Sequence, residues 1–156
     1  MKSHEYRITT TWRAEPGGST TDHRSYSRDH VIAARGKPDI LASSDAAFRG
    51  DPSRHNPEDL LVASLSACHM LWYLHLCAAG GVEVIANVDD ASGTMEEDGT
   101  NGGRFVEVVL RPTVTIADAA QTVKAQELHA PAHKKCFVAN SVNFPVRVEA
   151  TIAASG

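Results

Sequence analysis

Three of the 156 residues are cysteines, and two of them stand in settings suited to thiol chemistry. Cys68 lies in Leu65-Ser66-Ala67-Cys68-His69-Met70, among small residues that leave room for a molecule to approach its sulfur. A cysteine that attacks an O–O bond must be reachable and ionised. Burial alone raises a thiol's pKa, so such a cysteine needs a positive group beside it. Cys136 follows two lysines in Ala132-His133-Lys134-Lys135-Cys136-Phe137, and cations next to a thiol favour the thiolate. A second thiol can trap a sulfenic acid on the first as a disulfide if the fold brings them together; their distance in sequence neither supports nor forbids it. Read locally, each also fits a packing role, because free cysteine behaves as a small hydrophobe. Cys77 lies nine positions beyond Cys68. That is roughly 13 Å on a straight helix, too far for a disulfide, whose Cα atoms lie within about 7 Å. Cys77 reads as a packing residue.

Metal chemistry is the sharpest competitor. His129 and His133 are four apart and Cys136 three further on; with Cys68 or His69 added, a zinc site can be drawn. Pro131 falls between the two histidines and spoils a regular helix there, and no paired-cysteine motif exists, so no metal is expected. His4, His23, His30, His55 and His75 read as surface or hydrogen-bonded side chains. There is no phosphate-binding glycine loop, no GxSxG elbow and no dinucleotide fingerprint. Glu96-Glu97-Asp98 reads as a solvated turn.

The elements that must position these residues follow from pattern. Tyr6 to Arg13 alternates as a strand, Pro16-Gly17-Gly18 turns, and Asp29 to Arg35 offers a second strand. Ser43 to His55 is loop-like. Asn56-Pro57-Glu58-Asp59 is a strong helix start: Asn caps free N–H groups, Pro fits the first helical position and acids suit the dipole. Apolar residues then recur at helical spacing to Ala78, and Gly80-Gly81 ends the run. This helix is apolar nearly all round, so it needs cover on most sides, and a domain this small needs a partner subunit to supply part of it. Val82 to Asp89 and Gly93 to Glu96 read as strands, Glu97 to Gly103 as a turn, and Arg104 to Ile116 as one long strand. Asp118 caps a second helix, Ala119 to Leu128, and Cys136 to Val142 forms a further helical turn or two. Phe144 to Ile152 alternates cleanly and closes the sheet. The expectation is one α+β domain, residues 1–156, built on antiparallel sheet.

Composition is that of a soluble globular chain, 42% apolar and 22% charged, with net charge -4. That balance argues against nucleic acid as a partner. The longest apolar stretch, Leu60 to Ala79, is interrupted by Ser64, Ser66, His69 and His75, which suits a buried helix better than a membrane span. The N-terminus lacks the apolar core of a signal peptide, so the cytoplasm, where thiols stay reduced, is the expected location.

The segment from Asn56 to His69, with NPE at its start and Ser66-Ala67-Cys68 ten residues past the glutamate, resembles the OsmC/Ohr family of organic hydroperoxide reductases. Lys135 to Val142 is similar to that family's second cysteine region, and the order of elements matches across nearly the whole chain. The resemblance implies an intertwined homodimer with sheets wrapped around central helices and active sites at the subunit interface. It implies that Cys68 attacks a hydroperoxide, that Cys136 resolves it as a disulfide, and that a dithiol, often lipoyl-linked, restores both, with no cofactor. It carries the family's glutamate to Glu58 and its activating arginine to Arg49 first, Arg28 second; Arg54, beside the helix start, suits a surface role. Glu58 and Cys68 are ten positions apart, roughly 15 Å along one helix. If they share a site, the helix bends or the glutamate comes from the partner. His69 departs from the aromatic common in better-known members, while Trp72 and Tyr73 are placed to line a pocket. Alternatives are a ligand-binding dimer of this fold without turnover, or a zinc-stabilised structural protein.

Overall fold

Asn56 starts the long helix as its type predicts. In the computed structural model, which describes residues 1–100 and 102–155, its side-chain oxygen accepts from the Asp59 N–H at 2.7 Å, and Asp59 reaches back to the Asn56 N–H at 3.4 Å. This reciprocal cap satisfies two donors that a bare helix end leaves free. Helix α1 then runs Pro57–Ala79. It ends where Gly81, at φ +74°, takes the left-handed conformation and Val82 N–H bonds back to Cys77 O at 2.9 Å, a reversal that a side chain would strain.

The chain forms two compact units, Met1–Leu60 and Leu61–Gly156. The first holds an antiparallel sheet of β1 (Thr9–Trp12), β2 (His30–Ala33) and β3 (Ile40–Ala42). The first two strands are shorter than their alternation predicts, and β3 was not predicted, three residues being too short to show a pattern. The loop-like stretch contains one 3-10 turn, Ala46–Phe48, capped by Asp45.

In the second unit, β4 (Val84–Asp89) pairs with β7 (Pro112–Ile116), and β5 (Ser92–Glu97) with β6 (Gly103–Leu110), both antiparallel. Asn101 of the predicted turn between β5 and β6 lies outside the described residues. The single strand expected over Arg104 to Ile116 is divided at Arg111 between two sheets. The last stretch divides in the same way, into β8 (Val146–Val148) and β9 (Thr151–Ala154), which pair in parallel with β6 and β7. Parallel pairing needs a crossover. Here it is helical: a 3-10 turn Ala119–Gln121 capped by Asp118, α2 (Thr122–Glu127), α3 (His129–Lys135) and a 3-10 turn Ala139–Ser141.

Helix α1 packs through Leu65, His69, Tyr73 and Cys77, one stripe at four-residue spacing. Leu65 joins Val108 and Leu110 in one core, Tyr73 and Cys77 join Val114 and Ile116 in the other; burying each large side chain stabilises by roughly 2 kcal/mol. Gly93 lets α1 come close to β5, since a Cβ there would sit 2.8 Å from Val62 and 2.7 Å from Phe105. By length and composition alone α1 is apolar enough to cross a bilayer; in this fold its stripe meets protein, while Leu71, on another face, is 63% exposed.

Candidate active site

Cys68 and Cys136 meet. The two thiols are free and close enough for Cys68 to raise the Cys136 thiol, Cys68 half-buried on α1 and Cys136 wholly buried just past α3. Cys136 ends that helix in extended conformation, its N–H bonded to His133 O. Its sulfur accepts from the Ala139 N–H at 3.4 Å. Burial pushes the Cys136 thiol well above its ordinary range, and the contact with Cys68 adds to this. The neighbouring lysines do not offset this, and a thiol so raised is disfavoured as the first attacker, since the thiolate is the nucleophile.

Around the pair the surface is aromatic. Trp72, one turn beyond Cys68, meets Phe137 edge-on at 5.5 Å between centroids, with the Lys135 ammonium 5.4 Å from the Trp72 ring. Phe137 is 69% exposed. Tyr73 does not share this surface; it is fully buried and donates to Ala125 O at 3.0 Å. Cys77 lies in the core beside Tyr73, its thiol raised by burial.

Arg28, Arg49 and Glu58 belong to the first unit. The Arg28 guanidinium bonds the carbonyls of Tyr26 and His23 and lies 3.8 Å from the Tyr26 ring centre. Arg49 closes the Ala46–Phe48 turn at φ +66° with its side chain exposed. Glu58 sits in the first turn of α1, and its Oε2 is shielded from solvent without a hydrogen-bond partner. Among the described residues no ion pair joins Glu58 to either arginine, whereas Arg54 pairs with Asp29 at 3.4 Å and Asp51 at 3.7 Å.

His129 and His133 do share one helix, contrary to the expected disruption. Pro131 falls in the first turn of α3, where its missing N–H costs nothing, and the break comes before it, at Leu128. Among the described residues no three His, Cys, Asp or Glu side chains are grouped so that they could hold an ion. Instead His129 Nδ1 lies 3.0 Å from His69 Nε2, both rings buried. Burial holds each imidazole down to about 4, with neighbouring imidazoles adding to the effect and Asp89 opposing it at His69. Asp89 itself accepts from the Ser66 hydroxyl and from the Arg111 N–H. The signal for the histidine pair was present: His69 falls in the same stripe as Leu65 and Tyr73, and a buried imidazole requires a polar partner. Only the identity of that partner was hidden.

The family model described as OsmC-like protein matches residues 50–151, which contain both meeting cysteines. The chain belongs to the OsmC-like family. An OsmC-like protein of unknown function from Vibrio cholerae is 31% identical over 95% of this chain and 99% of its own, with TM-score 0.86. An organic hydroperoxide resistance protein from Elizabethkingia anophelis is similar at 20% identity, covering 99% and 100%, with TM-score 0.66. OhrB of Bacillus subtilis, also an organic hydroperoxide resistance protein, is 19% identical over 96% and 98%, with TM-score 0.60. At such identities the last two share the fold. No curated protein sequence is a significant match. The OsmC-like chain thus has the α+β fold its sequence implied.

Proposed function

We propose that this OsmC-like protein is a thiol-dependent peroxidase of organic hydroperoxides, with Cys68 as nucleophile and Cys136 as resolving thiol. The observation that carries the reading is the proximity of a half-buried and a fully buried free thiol. The Cys68 thiolate attacks the terminal oxygen of the hydroperoxide. The O–O bond breaks, an S–O bond forms, and the alkoxide leaves as alcohol after taking a proton. Cys136 then displaces the oxygen from the Cys68 sulfenic acid as water, leaving a disulfide. A small dithiol, lipoyl-linked in this reading, reduces that disulfide by exchange.

The Trp72–Phe137 pair, with Phe137 exposed, suits a substrate with an apolar body. A shielded carboxylate oxygen without a partner calls for a cation, which supports Glu58 acting with Arg49, or with Arg28, to hold the Cys68 thiolate. The uncovered apolar side of α1, with Leu71 exposed, supports a homodimer whose second copy completes each site. Thiols kept reduced between turnovers fit the cytoplasm.

The test is peptide mapping by mass spectrometry of the reduced protein after one equivalent of cumene hydroperoxide. A Cys68–Cys136 disulfide formed within seconds is expected. Thiols that stay reduced for many minutes, or full peroxide consumption by Cys68→Ser, would overturn the proposal.

A further inference from the structure

Among the points at which the crossover that carries Cys136 is fastened to α1, two bear directly on the cysteines. One is the juxtaposition of the two thiols, at the C-terminal end of α3. The other is the His69–His129 hydrogen bond at its N-terminal end, 3.0 Å between nitrogens and buried on both sides. His129 and Cys136 are seven positions apart, close to two helical turns, so both contacts lie on one side of the helix. On α1 their partners, His69 and Cys68, are neighbours. Tyr73 and Trp72 of α1 also meet this region, through Ala125 O, the His129 ring and Phe137, and the fully buried Ala132 and Ala125 are small and apolar. Apolar contacts of that size resist neither rotation nor sliding, whereas a hydrogen bond has direction.

The pair is also specific in what it requires. Two imidazole nitrogens at this distance need one to donate and the other to accept. The ring of His129 is stacked on Tyr73 at 3.8 Å between centroids, and Tyr73 is tied to α2 through Ala125 O. The orientation of α3 is therefore set by a stacked, hydrogen-bonded ring.

We propose that His69 and His129 are positioning residues for disulfide formation, their hydrogen bond fixing the rotation of α3 so that the Cys136 sulfur lines up with Cys68. This deepens the reading of Cys136 as the resolving thiol and rests on it. Its test needs no peroxide. In a Cys77→Ala background, Ellman's reagent caps the accessible Cys68 as a mixed disulfide with thionitrobenzoate. The Cys136 thiol then attacks the Cys68 sulfur: the mixed S–S bond breaks, the Cys68–Cys136 bond forms, and a second thionitrobenzoate leaves, while the proton of Cys136 passes to solvent.

The expected result is a rapid second release in the parent. In His129→Leu the first release is unchanged and the second slows about tenfold, the effect of losing about 1.4 kcal/mol from the aligned state. His129→Asn, whose amide occupies the position of Nδ1, restores the second release to within about threefold, because it keeps a bond to His69. His69→Leu reads the same loss from the α1 side, so one leucine variant that fails to fold leaves the other to decide. A second release as fast in the leucine variants as in the parent overturns the inference, as does an asparagine variant as slow as leucine. If this pattern holds while cumene hydroperoxide leaves both thiols reduced, the positioning role stands and the peroxidase reading fails. If peroxide forms the disulfide but the variants release alike, the reverse is true.

Discussion

Acid should weaken this protein at an identifiable place. His69 and His129 are buried and neutral, each held from an ordinary 6.5 down to about 4, chiefly by burial. In the unfolded chain both take up a proton as the pH falls through 6.5, while the folded rings resist until about 4. Between those values the unfolded state binds more protons, so stability is complete above pH 6.5 and falls across that window. The gap corresponds to roughly 3 kcal/mol per ring at about 1.4 kcal/mol per unit, and therefore to roughly 6 kcal/mol for the pair. That is as large as the whole stability of many domains, about 5–15 kcal/mol. The groups facing the pair are His133, Tyr73 and Asp89, and only the Asp89 carboxylate favours the charged form, at His69. A first extra proton puts a charge in the core; a second sets N–H against N–H. The assay is urea unfolding at pH 7 and pH 4, at one protein concentration, for the natural chain and for the double variant His69→Gln/His129→Asn. The natural chain should lose roughly 6 kcal/mol more than the variant, whose amides do not titrate. Equal losses would refute the argument, since carboxylate protonation common to both cancels in the comparison.

Three further outcomes are expected. Gly93→Ala should destabilise by about 1–3 kcal/mol in urea, because the new methyl would meet Val62 and Phe105 well inside contact distance; an unchanged midpoint would mean that α1 can move off β5 freely. Cys77→Ala should lose about 1 kcal/mol of stability and keep peroxide consumption at the natural rate, as befits a core thiol; loss of turnover would assign Cys77 a role it lacks here. One of Arg49→Met and Arg28→Met should slow Cys68 oxidation at least about tenfold by removing the cation that favours its thiolate. If both keep the natural rate, activation by either arginine is wrong.

Local chemistry was the legible part of this chain. Asn56 forms the predicted cap, and Asp118 caps the crossover, because a cap depends only on residues a few positions away. Helix α1 was legible for the same reason. Strand ends were not: alternation continues through Arg111 and through Glu149, although the chain passes there from one sheet to the next, and a bend leaves the period of two intact. The parallel pairing of β8 and β9 is a tertiary choice that no local pattern encodes. Pro131 misled because its cost depends on its place in the helix, and only the break at Leu128 reveals that place. The site divides along the same line. The settings of Cys68 and Cys136 could be judged by type, whereas their contact, and that of His69 with His129, spans most of the second unit in sequence.

The two bends carry a consequence for which insertions and deletions the chain can tolerate. β6 and β7 meet β8 and β9 with the same separation along the chain on both sides of the bend, Val108 opposite Val146 and Thr113 opposite Thr151, and Glu149 N–H bonds Leu110 O between them. One unbroken register thus serves two sheets. A residue lost at Arg111 or Glu149 would shift one sheet against the other and turn its inward side chains outward. A residue gained at the exposed start of the crossover, around Asp118 to Ala120, leaves both ladders untouched. Length variation among functional relatives should therefore collect at that joint and be missing from the bends.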